Sequence, residues 1–319
     1  MELKYSVVIP VFNEEQNLQE LYASVSKTMS KISKDYRIVF VDDGSTDGTA
    51  PMLKDLHGLD DHVAVIRLRK RYGQSAALTA GFRHASGDII ISMDGDLQDS
   101  PNEIPLLLEK LGEGYDLVCG WRKDRRDPFF SKKLPSLLSN WLARRLSGIP
   151  IHDFGCTLRV YRRNVLQGLT IYGELHRFLP ALIAWKGYRI AEVEVRHHTR
   201  KHGRSKYGVG RIFRGTIDIV TSFLLERYLS RPMHLFGLFG FVVGVTGFVL
   251  GLYLVVLKLF FGVPLGERPA LLLSVLMIVA GMQSAMIGLI GEMLTRYQVE
   301  EESKVFYEIE ETLCSHQAR

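Results

Sequence analysis

The sequence predicts an α/β domain built on a mostly parallel sheet and covered on both faces by helices, followed by two helices that cross a membrane. Three observations carry this. Between Tyr5 and Trp121, short apolar runs of strand length alternate with stretches in which apolar residues recur at helical spacing. The strand-like runs are apolar throughout, as strands buried on both faces are. Charges are scattered up to about Arg231, whereas Leu235 to Leu257 and Ala270 to Ile290 contain no Asp, Glu, Lys or Arg. Each of these runs reaches the roughly 20 apolar residues that span a bilayer. A buried soluble helix is the competing explanation, and two such runs in succession count against it.

The elements follow in order. Tyr5 to Phe12 is the first strand, and Asn13-Glu-Glu-Gln16 reads as a capping box for a helix that places Leu18, Leu21, Tyr22, Val25, Met29 and Ile32 on one face. Arg37 to Val41 is the second strand and ends in Asp42-Asp43-Gly44-Ser45, a turn into a helix carrying Leu53 and Leu56. Val63 to Leu68 is the third, with a helix through Leu78 and Phe82 behind it; Asp88 to Asp94 is the fourth. Ser100-Pro-Asn-Glu103 then sets an N-cap, a proline at the first helical position and a capping glutamate for a helix to about Gly112. Asp116 to Trp121 is the fifth strand. Beyond it the pattern loosens: a helix around Leu137 to Leu146, a strand at Thr157 to Tyr161, a helix from Phe178 to Trp185 and a strand at Arg189 to Val195. The stretch from Tyr207 to Leu229 places Val209, Ile212, Phe213, Ile217, Val220, Phe223 and Leu224 on one face against Arg211, Arg214, Asp218 and Glu226. It reads as a helix lying in the membrane interface. The domain organisation expected is therefore 1–206 for the α/β domain, 207–231 for the juxtamembrane helix, 232–292 for two spans at about 235–257 and 270–290, and 293–319 for a cytoplasmic tail.

Charge and cysteine usage narrow the setting. The Met1 end has no apolar signal region, so the soluble part is expected to stay unexported. Arg211, Arg214, Arg227 and Arg231 precede the first span, and Arg296 and Lys304 follow the second, while the connecting loop carries only Glu267 and Arg268. The positive-inside rule then puts both termini in the cytoplasm, in a multi-pass inner-membrane protein. The formal net charge of +5 is modest for 319 residues, and many of its contributors lie beside the membrane. That points to anionic lipid or phosphate and away from nucleic acid, for which no recognition motif is present. The three cysteines, Cys119, Cys156 and Cys314, lack metal-ligand spacing and read as reduced.

Open sheets of this kind bind ligands beyond the carboxyl ends of their strands, where Asn13, Asp42, Asp43 and the stretch from Asp94 to Gln98 all fall. Asp94-Gly95-Asp96 sets two carboxylates two residues apart just past a strand. Such a pair suits a hard divalent cation, Mg²⁺ or Mn²⁺, which takes one or two carboxylates and completes its shell with substrate phosphate. The same triplet is also what a solvated turn looks like, because Asp and Gly are ordinary turn residues. Asp42-Asp43 at the end of another strand tilts the balance, since acidic residues there can accept hydrogen bonds from a base or ribose. No G-x-G-x-x-G follows a strand and no Walker lysine motif is present, so dinucleotide and kinase readings lose support.

Taken together, Val8-Ile-Pro-Val-Phe-Asn-Glu14, Val41-Asp-Asp-Gly-Ser-Thr-Asp47 and Asp94-Gly-Asp-Leu-Gln98 resemble the inverting nucleotide-sugar glycosyltransferases of the GT-A, Rossmann-like fold. Tyr72-Gly-Gln74, Asp153-Phe-Gly-Cys-Thr-Leu-Arg159, Arg200-Lys-His-Gly-Arg-Ser-Lys-Tyr207 and the two C-terminal spans extend the resemblance to the branch acting on polyprenyl phosphates. That branch includes bactoprenol glucosyltransferases, undecaprenyl-phosphate aminoarabinose transferases and dolichol-phosphate mannose synthases. The resemblance implies a UDP- or GDP-sugar donor, a divalent metal, a polyprenyl (undecaprenyl) phosphate acceptor and a homo-oligomer, in the service of cell-envelope glycans such as lipopolysaccharide. Carried over by position, Pro10, Asn13, Glu14, Asp42, Asp43, Asp94 and Gly95 would bind the nucleotide sugar, Asp94 and Asp96 would hold the metal, and Asp96, Gln98 and Asp153 would be the catalytic residues, with Gln98 on the donor or acceptor side of the pocket. Arg122, Arg126, Arg200, Arg204, Ser205 and Lys206 would contact phosphate. Asp153 has two readings, a base or orienter of the acceptor and a structural carboxylate.

The implied reaction is a single in-line displacement by a lipid-phosphate oxygen on the anomeric carbon. A phosphate monoester is mostly a dianion at neutral pH and needs little help from a base. It does need its charge compensated, which arginines do with forked contacts and lysines as point charges. Three other readings stand beside this one: dolichol-phosphate mannose synthase-like transfer from GDP-mannose, a polysaccharide synthase, and a non-catalytic membrane scaffold. A synthase would be expected to carry a Q-x-x-R-W-type motif and more spans. The residues do not fix the sugar, between glucose and aminoarabinose types.

Overall fold

The computed structural model describes residues 4–123, 140, 144–145, 147–169, 171, 173, 175–196, 232–262, 264, 269–299 and 309–314. The chain divides into two compact units, Met1–Val220 with Val305–Arg319, and Thr221–Lys304.

In the first unit, strands β1 (Tyr5–Val11), β2 (Tyr36–Asp42), β3 (Val63–Leu68), β4 (Ile89–Ser92), β5 (Leu117–Trp121), β6 (Arg159–Arg162), β7 (Ile190–Glu194) and β8 (Ile309–Leu313) form one sheet in the order β7-β5-β6-β4-β1-β2-β3-β8. β1 pairs in parallel with both β2 and β4, β2 with β3, and β5 with β7. β6 is antiparallel to β4 and β5, and β8 is antiparallel to β3, so the mostly parallel sheet is a mixed one. This order has a functional consequence. It sets the carboxyl ends of β4, β1 and β2 side by side, and because β6 runs the other way, the segment leading into it arrives at the same edge.

Four helices cover the sheet among its early crossovers: α1 (Glu15–Ile32), α2 (Thr49–Leu59), α3 (Gln74–His84) and α4 (Ile104–Gly112). A fifth, α5 (Leu179–Trp185), follows a tight helical turn at Leu175–Phe178. Successive residues of a strand point to opposite faces, and the core separates accordingly. Val8, Val39, Val41 and Ile90 pack with Ala77, Leu78 and Phe82 of α3. Val7, Ile9, Ile38 and Phe40 pack with Leu18, Leu21, Val25 and Met29 of α1, the face expected from its periodicity. Each such side chain contributes about 1.5–3 kcal/mol on burial.

Three local expectations are corrected. Asn13 does not cap α1. It sits at φ 53°, in the left-handed region, its side-chain oxygen accepts the Thr46 amide at 2.8 Å, and Glu14 occupies the cap position without a side-chain cap bond. Asn tolerates that conformation because its short polar side chain can bond locally, and here it bonds across to the next loop instead of to its own helix. Ser100 likewise makes no cap bond; a single tight turn at Pro101–Glu103 leads into α4. The strand expected at Thr157 to Tyr161 begins later, at Arg159, because Thr157 is drawn toward Asp99. β8, within the segment expected to be a tail, was not anticipated.

The second unit contains α6 (Pro232–Phe261) and α7 (Pro269–Val299), which pack against each other. Phe236–Phe261 and Pro269–Gly291 are long and apolar enough to cross a membrane, with mean hydropathy 2.4 and 2.1. Leu238, Phe239, Phe241, Phe248, Leu272 and Leu276 stand exposed along them, unlike the side chains of a soluble core helix. At their contact the backbones come close: a Cβ on Gly281 would lie 2.6 Å from the Gly240 carbonyl oxygen. Ser284 Oγ donates to the Phe236 carbonyl at 2.9 Å. Small residues with an interhelical hydrogen bond are how helices associate where lipid removes the hydrophobic drive. The juxtamembrane helix expected at 207–231 lies outside the described residues.

Candidate active site

The site begins at the end of β4. Asp94 and Asp96 flank Gly95, which lies against the end of β1, where a Cβ would stand 2.9 Å from Val11 Cγ1. Leu97 follows at φ 61°, a conformation that costs a bulky residue of order 1–3 kcal/mol. That turn brings the Gln98 amide to donate to Asp96 Oδ1 at 3.1 Å. Asp96 and Asp99 are buried, at 7% and 4% exposure, and Thr157 donates its hydroxyl to Asp99 Oδ2 at 2.8 Å. Gln74, the first residue of α3, donates to Asp94 Oδ1 at 2.6 Å. Burial, with the charges of Asp96 and Asp99 added to it, pushes the Asp94 carboxyl up to about 7. Carboxylates crowded in this way fit a divalent cation, which would remove their mutual repulsion. Among the described residues no group of three or more His, Cys, Asp or Glu side chains forms a ready cage. This suits an ion that draws its remaining ligands from phosphate and water.

Beside this cluster, the ends of β1 and β2 are laced together. The Asn13 amide donates to Ser45 Oγ at 2.9 Å, the Glu14 amide to Thr49 Oγ1 at 2.9 Å, and the Gly48 amide to Glu15 Oε2 at 2.7 Å. Pro10 lies in β1 one residue from its end. Asp42 is the last residue of β2 and Asp43 lies just past it, and the two carboxylates take different partners. Asp42 Oδ1 accepts the Ser45 amide at 2.9 Å. Both oxygens of Asp43 are engaged, by the amides of Tyr72 at 2.7 Å and Gly73 at 2.8 Å, so Asp43 fixes the loop that carries Gln74. Burial raises both carboxyls above their usual range, against the pull of these hydrogen bonds.

On the other side stands a buried ion pair. Arg122, just past β5, donates from Nε to Asp153 Oδ2 at 2.8 Å and from its terminal nitrogen to Oδ1 at 3.1 Å, and the Gly155 amide adds a third bond. Burial alone would lower the guanidinium, but the Asp153 charge and hydrogen bonds outweigh it and hold Arg122 above its ordinary value. Beneath, Arg159 is wholly buried and donates to the carbonyls of Phe154, His176 and Arg177. It thereby ties the Asp153 loop to the turn at Leu175–Phe178.

The fold thus gathers Pro10, Asn13, Glu14, Asp42, Asp43, Asp94, Gly95, Asp96, Gln98, Arg122 and Asp153 at one sheet edge. Arg126, Arg200, Arg204, Ser205 and Lys206 lie outside the described residues. Sequence reasoning assigned no role to Gln74, Asp99, Thr157 or Arg159. Gln74, Thr157 and Arg159 had a signal, their place in the motifs Tyr72-Gly-Gln74 and Asp153-Phe-Gly-Cys-Thr-Leu-Arg159; Asp99 shows only in three dimensions. His176 is buried and bonded to Ser75 Oγ at 2.9 Å.

Residues 6–170 match the family model described as Glycosyl transferase family 2. A dodecaprenyl-phosphate galacturonate synthase of Rhizobium johnstonii is 38% identical over 298 residues, covering 92% of this chain and 88% of its own length. An undecaprenyl-phosphate 4-deoxy-4-formamido-L-arabinose transferase of Klebsiella pneumoniae is 38% identical over 295 residues, with the same coverage. Among solved structures, the glucosyl-3-phosphoglycerate synthase of Mycobacterium tuberculosis with Mn²⁺ and UDP-glucose superimposes with a TM-score of 0.52 at 22% identity, over 70% of this chain and 78% of that one. This last likeness is one of fold, and it agrees with a GT-A domain. By its matched motifs, its sheet order and its close relatives, the chain belongs to glycosyl transferase family 2 and is a glycosyltransferase.

Proposed function

We propose that this enzyme transfers a sugar from a nucleotide sugar to a polyprenyl phosphate at the cytoplasmic face of the inner membrane, with a divalent ion and inversion at the anomeric carbon. The observation that carries this reading is the crowding of Asp94, Asp96 and Asp99 at the end of β4, next to the buried Arg122, in a chain that also holds an apolar helical hairpin. Asp94 and Asp96 would hold the ion, which when bound neutralises charge on the departing nucleoside diphosphate. Gln74 orients Asp94, and the Asn13–Ser45–Thr46 lacing holds the loop over which the nucleoside lies. Arg122 supplies positive charge near the acceptor phosphate. Asp153 serves first to anchor that guanidinium.

Two relatives named for polyprenyl-phosphate sugars support the acceptor. Their named sugars differ while their identity to this chain is the same, so identity does not choose between them. The fold neighbour was solved with Mn²⁺ and UDP-glucose, which makes Mn²⁺ and UDP sensible first probes. β8 supports the membrane arrangement: it pairs with β3, so the chain after α7 returns to the sheet it left before α6, as two crossings require.

The test is to incubate membranes containing the full chain with undecaprenyl phosphate, Mg²⁺ or Mn²⁺ and labelled UDP-glucose, UDP-galacturonate, UDP-4-deoxy-4-formamido-L-arabinose and GDP-mannose. A lipid-linked product is expected from one UDP-sugar, of opposite anomeric configuration to the donor, and none from Asp96→Asn. Absence of product from every donor would refute the proposal.

A further inference from the structure

The strand at the far end of the sequence adjoins the donor site from behind. β8 forms the outer edge of the sheet beside β3, and its register is broken between Arg67 and Leu68, where Leu68 pairs with Ile309 and Arg67 with Glu311. Glu310 therefore falls at the irregularity, and its Oε2 lies 3.5 Å from Arg67 Nε. The same Arg67 Nε lies 3.6 Å from Asp42 Oδ2. Asp42 is fully buried, and among the described residues neither its Oδ2 nor Arg67 Nε makes a hydrogen bond. A buried carboxylate needs a nearby cation, and among the described residues Arg67 is the one ion-paired to it.

From Asp42 the links run directly into the donor loop. Asp42 Oδ1 holds the Ser45 amide, Ser45 Oγ holds the Asn13 amide, and Asn13 Oδ1 holds the Thr46 amide. A cavity of about 670 Å³ opens beside that loop, lined by Asp42, Ser45, Lys54, Arg67, Glu311 and Leu313. Two of the residues lining the cavity, Glu311 and Leu313, come from β8, and Glu311 also pairs with Lys54 of α2 at 3.7 Å.

We propose that β8 is a positioning element for the donor site: Glu310 aims Arg67, Arg67 holds Asp42, and Asp42 sets the 42–48 loop on which the nucleotide sugar rests. This rests on the nucleotide-sugar reading above. Glu310 and Arg67 touch no substrate, and their effect falls on donor affinity and not on the transfer step. The side chains of Arg67 and Glu310 are 37% and 45% exposed, so their pairing adds little to global stability and variants at Glu310 fold.

The experiment uses the full chain in detergent, titrated with UDP in the presence of Mn²⁺ by calorimetry, and with GDP as a second probe. Glu310→Gln is expected to weaken UDP binding about two- to fivefold, the span of an exposed ion pair. Arg67→Gln is expected to weaken it about tenfold or more, while Arg67→Lys, which keeps the charge, recovers most of the loss. In turnover, the donor KM rises in the same order, with kcat and the acceptor KM unchanged within about twofold. UDP affinity within error of the parent in both Glu310→Gln and Arg67→Gln, at an unchanged Tm, overturns the relay and leaves the functional reading standing. Equal losses in kcat and both KM values overturn it as well, since that is what a merely structural role gives. If the parent chain binds neither UDP nor GDP, the nucleotide-sugar reading itself falls and takes the relay with it.

Discussion

Asp94 is held at odds with its surroundings. It is half-buried beside Asp96 and Asp99, and its pKa, pushed up to about 7, lies above the roughly 3.9 of an unfolded aspartate. The sign follows from linkage: a carboxyl with a raised folded pKa weakens the metal-free fold as it ionises, not at all below its unfolded pKa and fully above about 7. Asp94→Asn should therefore raise the Tm of the metal-free full chain, by more at pH 8 than at pH 5, while abolishing transfer. Differential scanning fluorimetry at the two pH values checks it, and a Tm gain independent of pH would contradict the assignment. Arg122 and Asp153 behave in the opposite way, since each satisfies the other. Asp153→Asn leaves a buried guanidinium without its counter-charge and should cost about 3–5 kcal/mol of stability, read as a fall in denaturation midpoint. Of these residues, the paired acids of Asp94-Gly95-Asp96 and Asp42-Asp43 were legible in the sequence, because strand ends in an open sheet are where ligands go. The division of labour between Asp42 and Asp43 was not: adjacent carboxylates look equivalent in a sequence and take different partners in the fold.

At the scale of elements, periodicity read the early crossovers well and the later ones less so. β1 to β5 and α1 to α4 lie where apolar runs and helical spacing put them, because each buries a whole face. β6 lies within two residues of the strand expected at Thr157 to Tyr161, whereas β8 escaped, because its Ile-Glu-Glu-Thr-Leu composition resembles a solvated tail. The missing capping box makes the same point, since Asn13 has a nonlocal partner that outcompetes its own helix. Two variants test the packing. Leu21→Ala, at a fully buried position of α1, should destabilise by about 2–5 kcal/mol in denaturant titration. Gly281→Val should separate α6 from α7, visible as a lower Tm in detergent, whereas the same change at Gly262, which no neighbour approaches, costs only the strain of its positive φ.

For the whole molecule, the pairing of β8 with β3 constrains how the chain crosses a membrane. Cys314, the residue after β8, is exposed, while Cys119 and Cys156 are buried and burial pushes the Cys119 thiol up to about 12. A membrane-impermeant maleimide should therefore label Cys314 alone, in inside-out vesicles and not in sealed right-side-out cells. Labelling of intact cells would place the end of the chain on the wrong side for the proposed topology.

That last strand also sets a timetable for synthesis. Residue 65 waits for residue 313, so the apolar edge of β3 leaves the ribosome unpaired and remains so until both membrane helices have been made. An open strand edge invites pairing with other chains. A nascent chain stalled before the hairpin is thus a sheet with one side unfinished, and a chain whose hairpin is complete can close it. Quality control would find in that edge a marker of whether membrane insertion has taken place.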